Sequence, residues 1–167
     1  VGGLSADEFK LAFRNHASGV AVITADAGDG PVGLTATSVF SVSADPALFV
    51  FSISGLSSSA PTIQKVDTVV VHLLGADQLG VAKLFATSGV DRFADQAGWD
   101  RLITGEPYLP SSPVWIRGRV INRMEAGGST VVAVHALQAE VGGTDVAPLV
   151  YHNRTWHHIG EHSRLEI

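Results

Sequence analysis

Cysteine is absent from the 167-residue chain, which rules out disulfides, thiolate catalysis and cysteine-ligated zinc. Charge is sparse: Asp, Glu, Lys and Arg make up 16% of the residues, with a net charge of −5. No run of basic residues occurs, and Arg117, Arg119 and Arg123 come nearest to one. A nucleic-acid-binding protein would carry a basic patch, so no nucleic-acid partner is expected. No apolar stretch is long enough to span a bilayer, so no membrane segment is expected either. Residues 1–14 lack the basic-then-apolar order of a signal peptide, which makes a cytoplasmic location the expectation. Nucleotide and hydrolase signatures are also missing. No GxGxxG follows a strand, no GxxxxGK(S/T) occurs, and there is no GxSxG. Rossmann dinucleotide sites, P-loops and serine-hydrolase elbows lose their support.

What is present is apolar. Hydrophobic residues reach 46%, enough for a sizeable core and too many for a disordered chain. The length fits one domain over residues 1–167. With so little charge to cover apolar surface, a partner subunit is expected. Ser5-Ala6-Asp7-Glu8 has the form of a capping box. It predicts a helix that packs by Phe9 and Phe13 and ends near Ser18-Gly19. Apolar and β-branched runs at 20–24, 32–37, 48–53, 69–74, 114–124 and 131–141 predict strands. An extended segment at 39–43 and a last strand within 149–159 complete the set. Helices are expected at 60–65 and 78–86, and a loop-rich stretch at 88–113 anchored by Trp99 and Tyr108. Strands in succession, rather than alternating with long helices, predict a mainly β barrel or sandwich.

Hydroxyls gather in two places. Thr35, Thr37 and Ser38 fall at one strand end, and Ser52, Ser54, Ser57, Ser58, Ser59 and Thr62 follow the next apolar strand. Hydroxyls and free backbone N–H groups ahead of a helix can hold an anion, with Arg92 or Lys65 as the accompanying cation. On these residues alone a solvated serine-rich turn is the commoner outcome. His152, His157, His158 and His162 crowd the C-terminus without the spacing of a metal site, so no metal is assigned. His16 is expected in the first helix, and His72 and His135 read as hydrogen-bonded strand residues rather than catalysts. Phe93 and Trp99 read as hydrophobic plugs or as walls for a flat ligand.

Several segments then follow in a telling order. Phe9 with Phe13-Arg14 comes first, then Ser18-Gly19-Val20-Ala21-Val22-Ile23-Thr24 and Gly33-Leu34-Thr35-Ala36-Thr37-Ser38. Next are Ser41-Val42-Ser43-Ala44-Asp45-Pro46-Ala47-Leu48, the serines Ser54, Ser57 and Ser59, and Ala76-Asp77-Gln78. Phe85-Ala86, Asp91-Arg92-Phe93, Trp99 and Pro148-Leu149-Val150-Tyr151-His152 close the series. In this order they resemble the short-chain flavin reductase family, the FMN-binding split-barrel reductases that serve two-component monooxygenases. The corresponding family segments are ATGVTVVT, GMTASAF, SVSLDPPL, an N-x-x-S-x-T run and PLLYH.

The resemblance implies a mainly β fold, an FMN-binding split β-barrel of Greek-key type with a few flanking helices. It implies a homodimer with flavin near the interface. It also implies hydride transfer from NADH or NADPH to FMN or FAD, and release of reduced flavin to a partner monooxygenase. No catalytic side chain is implied, because the flavin carries the chemistry. Thr35, Ala36, Thr37 and Ser38 would face the ring and ribityl chain, and Ser54, Ser57 and Ser59 the phosphate. Ser52 and Ser58 belong to the same implied cofactor-binding set, Arg92 and Phe93 would close the pocket, and Ser129 and His152 would lie on the nicotinamide side. Two departures stand out. The family's Gly-Asp-His turn is Gly127-Gly128-Ser129 here, so the acid and the imidazole are both missing. That opens an alternative: an FMN-binding flavoprotein or carrier without efficient NAD(P)H oxidation. His72 stands where the family has an asparagine.

Overall fold

Branched Cβ atoms restrict χ1 and favour extended backbone, and they are densest where the sheet is central. The structure, a computed structural model, describes residues 2–142 and 145–167; Val1, Gly143 and Thr144 lie outside the described residues. The chain opens with α1 (Ala6–Phe13), β1 (Ser18–Gly19), β2 (Ala21–Asp26), β3 (Pro31–Ala36), β4 (Phe40–Ala44) and β5 (Ala47–Ser54). It continues through α2 (Ala60–Ile63), β6 (Thr68–Leu73), α3 (Leu79–Ala86), β7 (Asp100–Arg101) and β8 (Pro107–Tyr108). It closes with the long hairpin β9 (Val114–Ala126) and β10 (Ser129–Val141), then β11 (Leu149–His152) and β12 (Thr155–His158). Seven of the strands form one antiparallel sheet in the order β3-β2-β6-β9-β10-β5-β4.

Alternate residues of that sheet point to one interior, as the period of two along a strand requires. Ile23, Leu34, Phe51, Ile53, Val69, Val71, Val132 and Val134 meet in a single buried cluster. Leu34 lies on one edge strand and Phe51 next to the other edge, so the sheet curls until its two ends face each other. The outer face of β2 and β6 is covered as well. Val20, Val22, Leu74, Ala82, Phe85, Phe93, Leu109 and Leu149 form a second buried cluster there. Burial on both faces explains why the sequence around β2 and β6 reads as near-continuous apolar runs rather than alternating ones.

No hydrogen-bonded ladder joins β3 to β5, and the barrel is open along that seam. Ser38 partly bridges it. Its hydroxyl accepts the Ser52 N–H and donates to the Ser52 carbonyl, both at 3.1 Å, so one side chain stands in for a strand partner. Outside the barrel, the stretch from 88 to 113 is held by buried polar tethers. Thr24 Oγ1 donates to the Pro107 carbonyl at 2.6 Å. His72 sits fully buried on β6; its Nε2 accepts the Leu109 N–H at 2.9 Å, and its Nδ1 lies 2.8 Å from the Val22 carbonyl. The anchors expected of this stretch also pack: Trp99 on Phe93 at 5.1 Å and Tyr108 on Trp115 at 5.4 Å between ring centroids.

The first helix departs from expectation. Its capping box is present, with Ser5 and Glu8 bonded reciprocally. It ends at Phe13, not near Ser18-Gly19, because Ser18 and Gly19 pair instead with Tyr151 and Val150 of β11. His16 therefore lies beyond the helix rather than within it. Phe9 and Phe13 remain 54% and 55% exposed, so the apolar face of α1 finds no cover in its own chain.

Candidate functional site

The open seam is also a cleft. About 460 Å³ of space lies between the end of β3, the end of β5 and the loop that follows it. The sequence pattern explains the mixed lining. Leu34, Ala36 and Ile53 face the barrel interior, and Phe85 reaches over from α3 to give an apolar floor. Polar residues at the alternate positions and in the following loop form the rim: Thr35, Thr37, Ser38, Ser52, Ser54, Ser57, Arg92 and Ser129. The strand end 34–38, the serine loop and the β9–β10 hairpin, far apart in sequence, converge on one volume.

Some of these polar groups hold the cleft in shape. Thr35 Oγ1 donates to the Ala82 carbonyl at 2.7 Å, tying β3 to α3. Ser54 Oγ accepts the Leu56 N–H, and Ser57 Oγ accepts the Ser59 N–H, both at 3.2 Å. Hydroxyls that accept from backbone keep their own protons to donate to an anion. Arg92 is oriented by main-chain carbonyls: Nη1 donates to Gly33 at 2.6 Å, while Nε and Nη2 donate to Thr87 at 3.2 and 3.1 Å. Burial lowers the pKa of its guanidinium from the ordinary value, yet an arginine stays cationic. The three contacts leave two of its five N–H groups for a ligand. Gly33 has no room for a side chain, since a Cβ would lie 2.7 Å from the Phe85 ring.

The remaining expected residues sit close by. Ser58, Ser59 and Phe93 line a side recess of about 170 Å³ that shares Arg92 with the cleft. Ser59 is buried and its hydroxyl donates to the Gly33 carbonyl at 3.1 Å. Phe93 is buried edge-on against Phe85, with ring centroids 5.3 Å apart. Lys65, the other cation considered, points to Asp29 at 3.6 Å on the exposed surface. His152 borders a larger groove of about 770 Å³ that adjoins the cleft through Thr37 and Ser38. Phe9 and Phe13 of α1 stand on one wall of that groove, and Phe40 and Tyr151 also line it. His152 Nε2 lies 2.7 Å from Asn15 Oδ1. Its ring is 5.6 Å from that of His157, and no group of three metal-ligating side chains forms among the described residues. No helix among those residues is long and apolar enough to cross a membrane.

The fold and the sequence have counterparts in known proteins. The model of the flavin reductase like domain matches residues 13–160. The chain belongs to that family. An NADH:FMN oxidoreductase of Rhodococcus erythropolis is 42% identical over 155 residues, covering 90% of this chain and 80% of that one. A flavin reductase domain protein from Arthrobacter sp. FB24 has a solved structure that superposes with a TM-score of 0.90 at 34% identity, covering 98% of this chain and 99% of that one. A more distant relative, 28% identical over 90% of this chain and 80% of its own length, is the reductase component of a 4-nitrophenol 4-monooxygenase/4-nitrocatechol 2-monooxygenase in Rhodococcus opacus. This flavin reductase-like chain is a split β-barrel, mainly β with few helices, and its sheet is open between β3 and β5.

Three features of the site have little signature in the sequence. Phe85 serves as floor, and only its place in the ordered segments marks it. Ser38 works as a staple across the seam, which no local pattern announces. The Gly128 carbonyl accepts the Gly55 N–H at 2.8 Å, a main-chain contact that no side-chain pattern marks.

Proposed function

We propose that this protein is an NADH-dependent FMN reductase whose flavin lies in the β3–β5 seam. The observation that carries the proposal is the convergence of hydroxyls, an oriented arginine and an apolar floor in one open cleft, within a chain 42% identical to an NADH:FMN oxidoreductase. The residues fit the group. Leu34, Ile53 and Phe85 give the cleft an apolar lining for an aromatic ring, and Thr35, Ala36, Thr37 and Ser38 border it with backbone and hydroxyls. Ser54, Ser57 and Arg92 stand together as donors for a phosphate. Ser59 and Ser58 shape the loop, with Ser59 fixed to β3, and Phe93 buttresses Phe85 from behind. When bound, the flavin supplies a ring that takes up hydride from the nicotinamide. The protein's part is to bind, orient and exclude water.

NADH is the co-substrate in this reading, with NADPH as the alternative. FMN is preferred to FAD. Ser129 at the cleft mouth and His152 in the adjoining groove stand on the side open to a nicotinamide. Residues 1–167 act as one domain, the protein resides in the cytoplasm, and the reduced flavin passes to a monooxygenase component. A homodimer accounts for the uncovered α1 face and for Phe40 of β4 across the groove, with Phe9, Phe13 and Phe40 each more than half exposed. Purified protein mixed with FMN and NADH tests the reading. Loss of nicotinamide absorbance that depends on FMN is the expected result. Flavin binding without nicotinamide oxidation would favour the carrier alternative raised by Gly128 and Ser129.

A further inference from the structure

Arg123 lies outside the cleft, yet both carbonyls to which its guanidinium donates lead to the serine loop. It sits on β9, opposite Val132 of β10. Its Nη2 donates to the Ile63 carbonyl at 2.8 Å and to the Val66 carbonyl at 2.7 Å. Ile63 ends α2 and Val66 follows shortly after, where helix geometry leaves carbonyls without intrahelical partners. Its Nε is buried and has no partner among the described residues. A buried N–H left unpaired is unfavourable, so a residue serving only to fill space would more readily be apolar.

We infer that Arg123 is a positioning residue for the flavin 5′-phosphate, acting through the serine loop rather than by touching the ligand. The inference rests on the assignment of that loop to the phosphate. The mechanical link is continuous. The Ala60 N–H donates to Ser57, Ile63 to Ser59 and Gln64 to Ala60, so residues 57–64 form one hydrogen-bonded unit. Arg123 grips its far end. Gln64 Nε2 donates to Thr130 Oγ1 at 2.6 Å and gives the same end a second tether. At the near end, the Gly55 N–H donates to the Gly128 carbonyl. All three tethers run to the β9–β10 hairpin. The loop is thus fixed at both ends to one rigid element, which is how a binding loop keeps its donors in place before the ligand arrives.

Riboflavin, which lacks the phosphate, separates positioning from general scaffolding. Affinities of FMN and riboflavin are read by quenching of flavin fluorescence in wild type, Arg123→Met, Arg123→Lys, Gln64→Leu and Ser57→Ala, with thermal melts as the folding control. Arg123→Met is expected to weaken FMN about tenfold, the scale of a charge-assisted hydrogen bond, and to leave riboflavin within about twofold. Arg123→Lys should recover most of the loss, since an ammonium can donate to both carbonyls. Gln64→Leu, at an exposed position, should shift FMN alone in the same direction by a smaller factor, and it decides the matter if Arg123→Met fails to fold. Equal losses for FMN and riboflavin, or no loss for FMN, overturn the role of Arg123. If Ser57→Ala weakens FMN while both tether variants bind it normally, the phosphate site stands and the positioning role falls. If Ser57→Ala has no effect, the site assignment falls, and this role with it.

Discussion

Substituting His72 by leucine tests whether one buried imidazole holds the outer loop. In the native protein Nε2 accepts the Leu109 N–H, so the ring proton must sit on Nδ1, which then donates to the Val22 carbonyl. Both nitrogens are satisfied only in the neutral ring. Burial accordingly lowers the His72 pKa to about 4, against the opposing pull of the Val22 carbonyl. Leucine has nearly the same bulk and neither contact. The buried Leu109 N–H then loses its acceptor at about 1–3 kcal/mol, and the bond to Val22 adds about 1 more, so the variant should be about 2–4 kcal/mol less stable near neutral pH.

The acid response gives the sharper test. An unfolded histidine takes its proton near pH 6.5, while the folded one resists until about 4. The unfolded state binds the proton first, so this stabilisation is complete above about pH 6.5 and is lost as pH falls toward 4. At about 1.4 kcal/mol per unit, the wild type should lose about 2 kcal/mol from His72 by about pH 5. The leucine variant has no such group. Urea unfolding at about pH 8 and about pH 5 should therefore show the gap between the two proteins shrinking by about that amount. A gap of equal size at both pH values would refute the neutral, doubly bonded imidazole.

Other expectations are more direct. Ser57→Ala should weaken FMN by about 1 kcal/mol or more, roughly fivefold or greater in Kd by fluorescence titration; unchanged affinity puts the phosphate elsewhere. Gly33→Ala brings a methyl to 2.7 Å from the Phe85 ring, which should lower stability by about 1–3 kcal/mol in urea and weaken FMN as Phe85 shifts. An unaltered unfolding midpoint would show that the ring yields freely. Phe9→Ser with Phe13→Ser should convert a dimer to a monomer in analytical ultracentrifugation, and a monomeric wild type would end the dimer reading.

Much of the barrel was legible because its signal is local. Val20 to Thr24 and Val69 to Leu74 advertise β2 and β6, and burial on both faces makes the runs unbroken. The capping box at Ser5 and Glu8 likewise gave the start of α1. Its end was not legible, since nothing in Arg14 to Ala17 forbids helix; the stop comes from β11, at the other end of the chain. The cleft was half legible. The hydroxyls singled out at Thr35 to Ser38 and Ser52 to Ser59 do border the cleft and its side recess. Their spacing did not separate donors that face the cleft from Ser59, whose hydroxyl is bonded to Gly33. Arg123 read as one of three scattered cations, because its partners are backbone carbonyls that no sequence pattern displays.

The bond from Gly55 to Gly128 is made by main chain alone. A side chain at position 128 would meet no atom within 4 Å. The turn therefore separates two tasks that neighbouring residues often share. Anchorage of the serine loop is indifferent to which amino acid stands there, while Ser129, the next residue, is the one that lines the cleft. Mutation can sample acids, amides or a bare glycine at this tip without loosening the grip on the loop. Replacing Gly128 by the acid of the Gly-Asp-His turn thus leaves the grip on the loop intact, whereas the imidazole's position, 129, lines the cleft opposite Ser54 and changes the site itself.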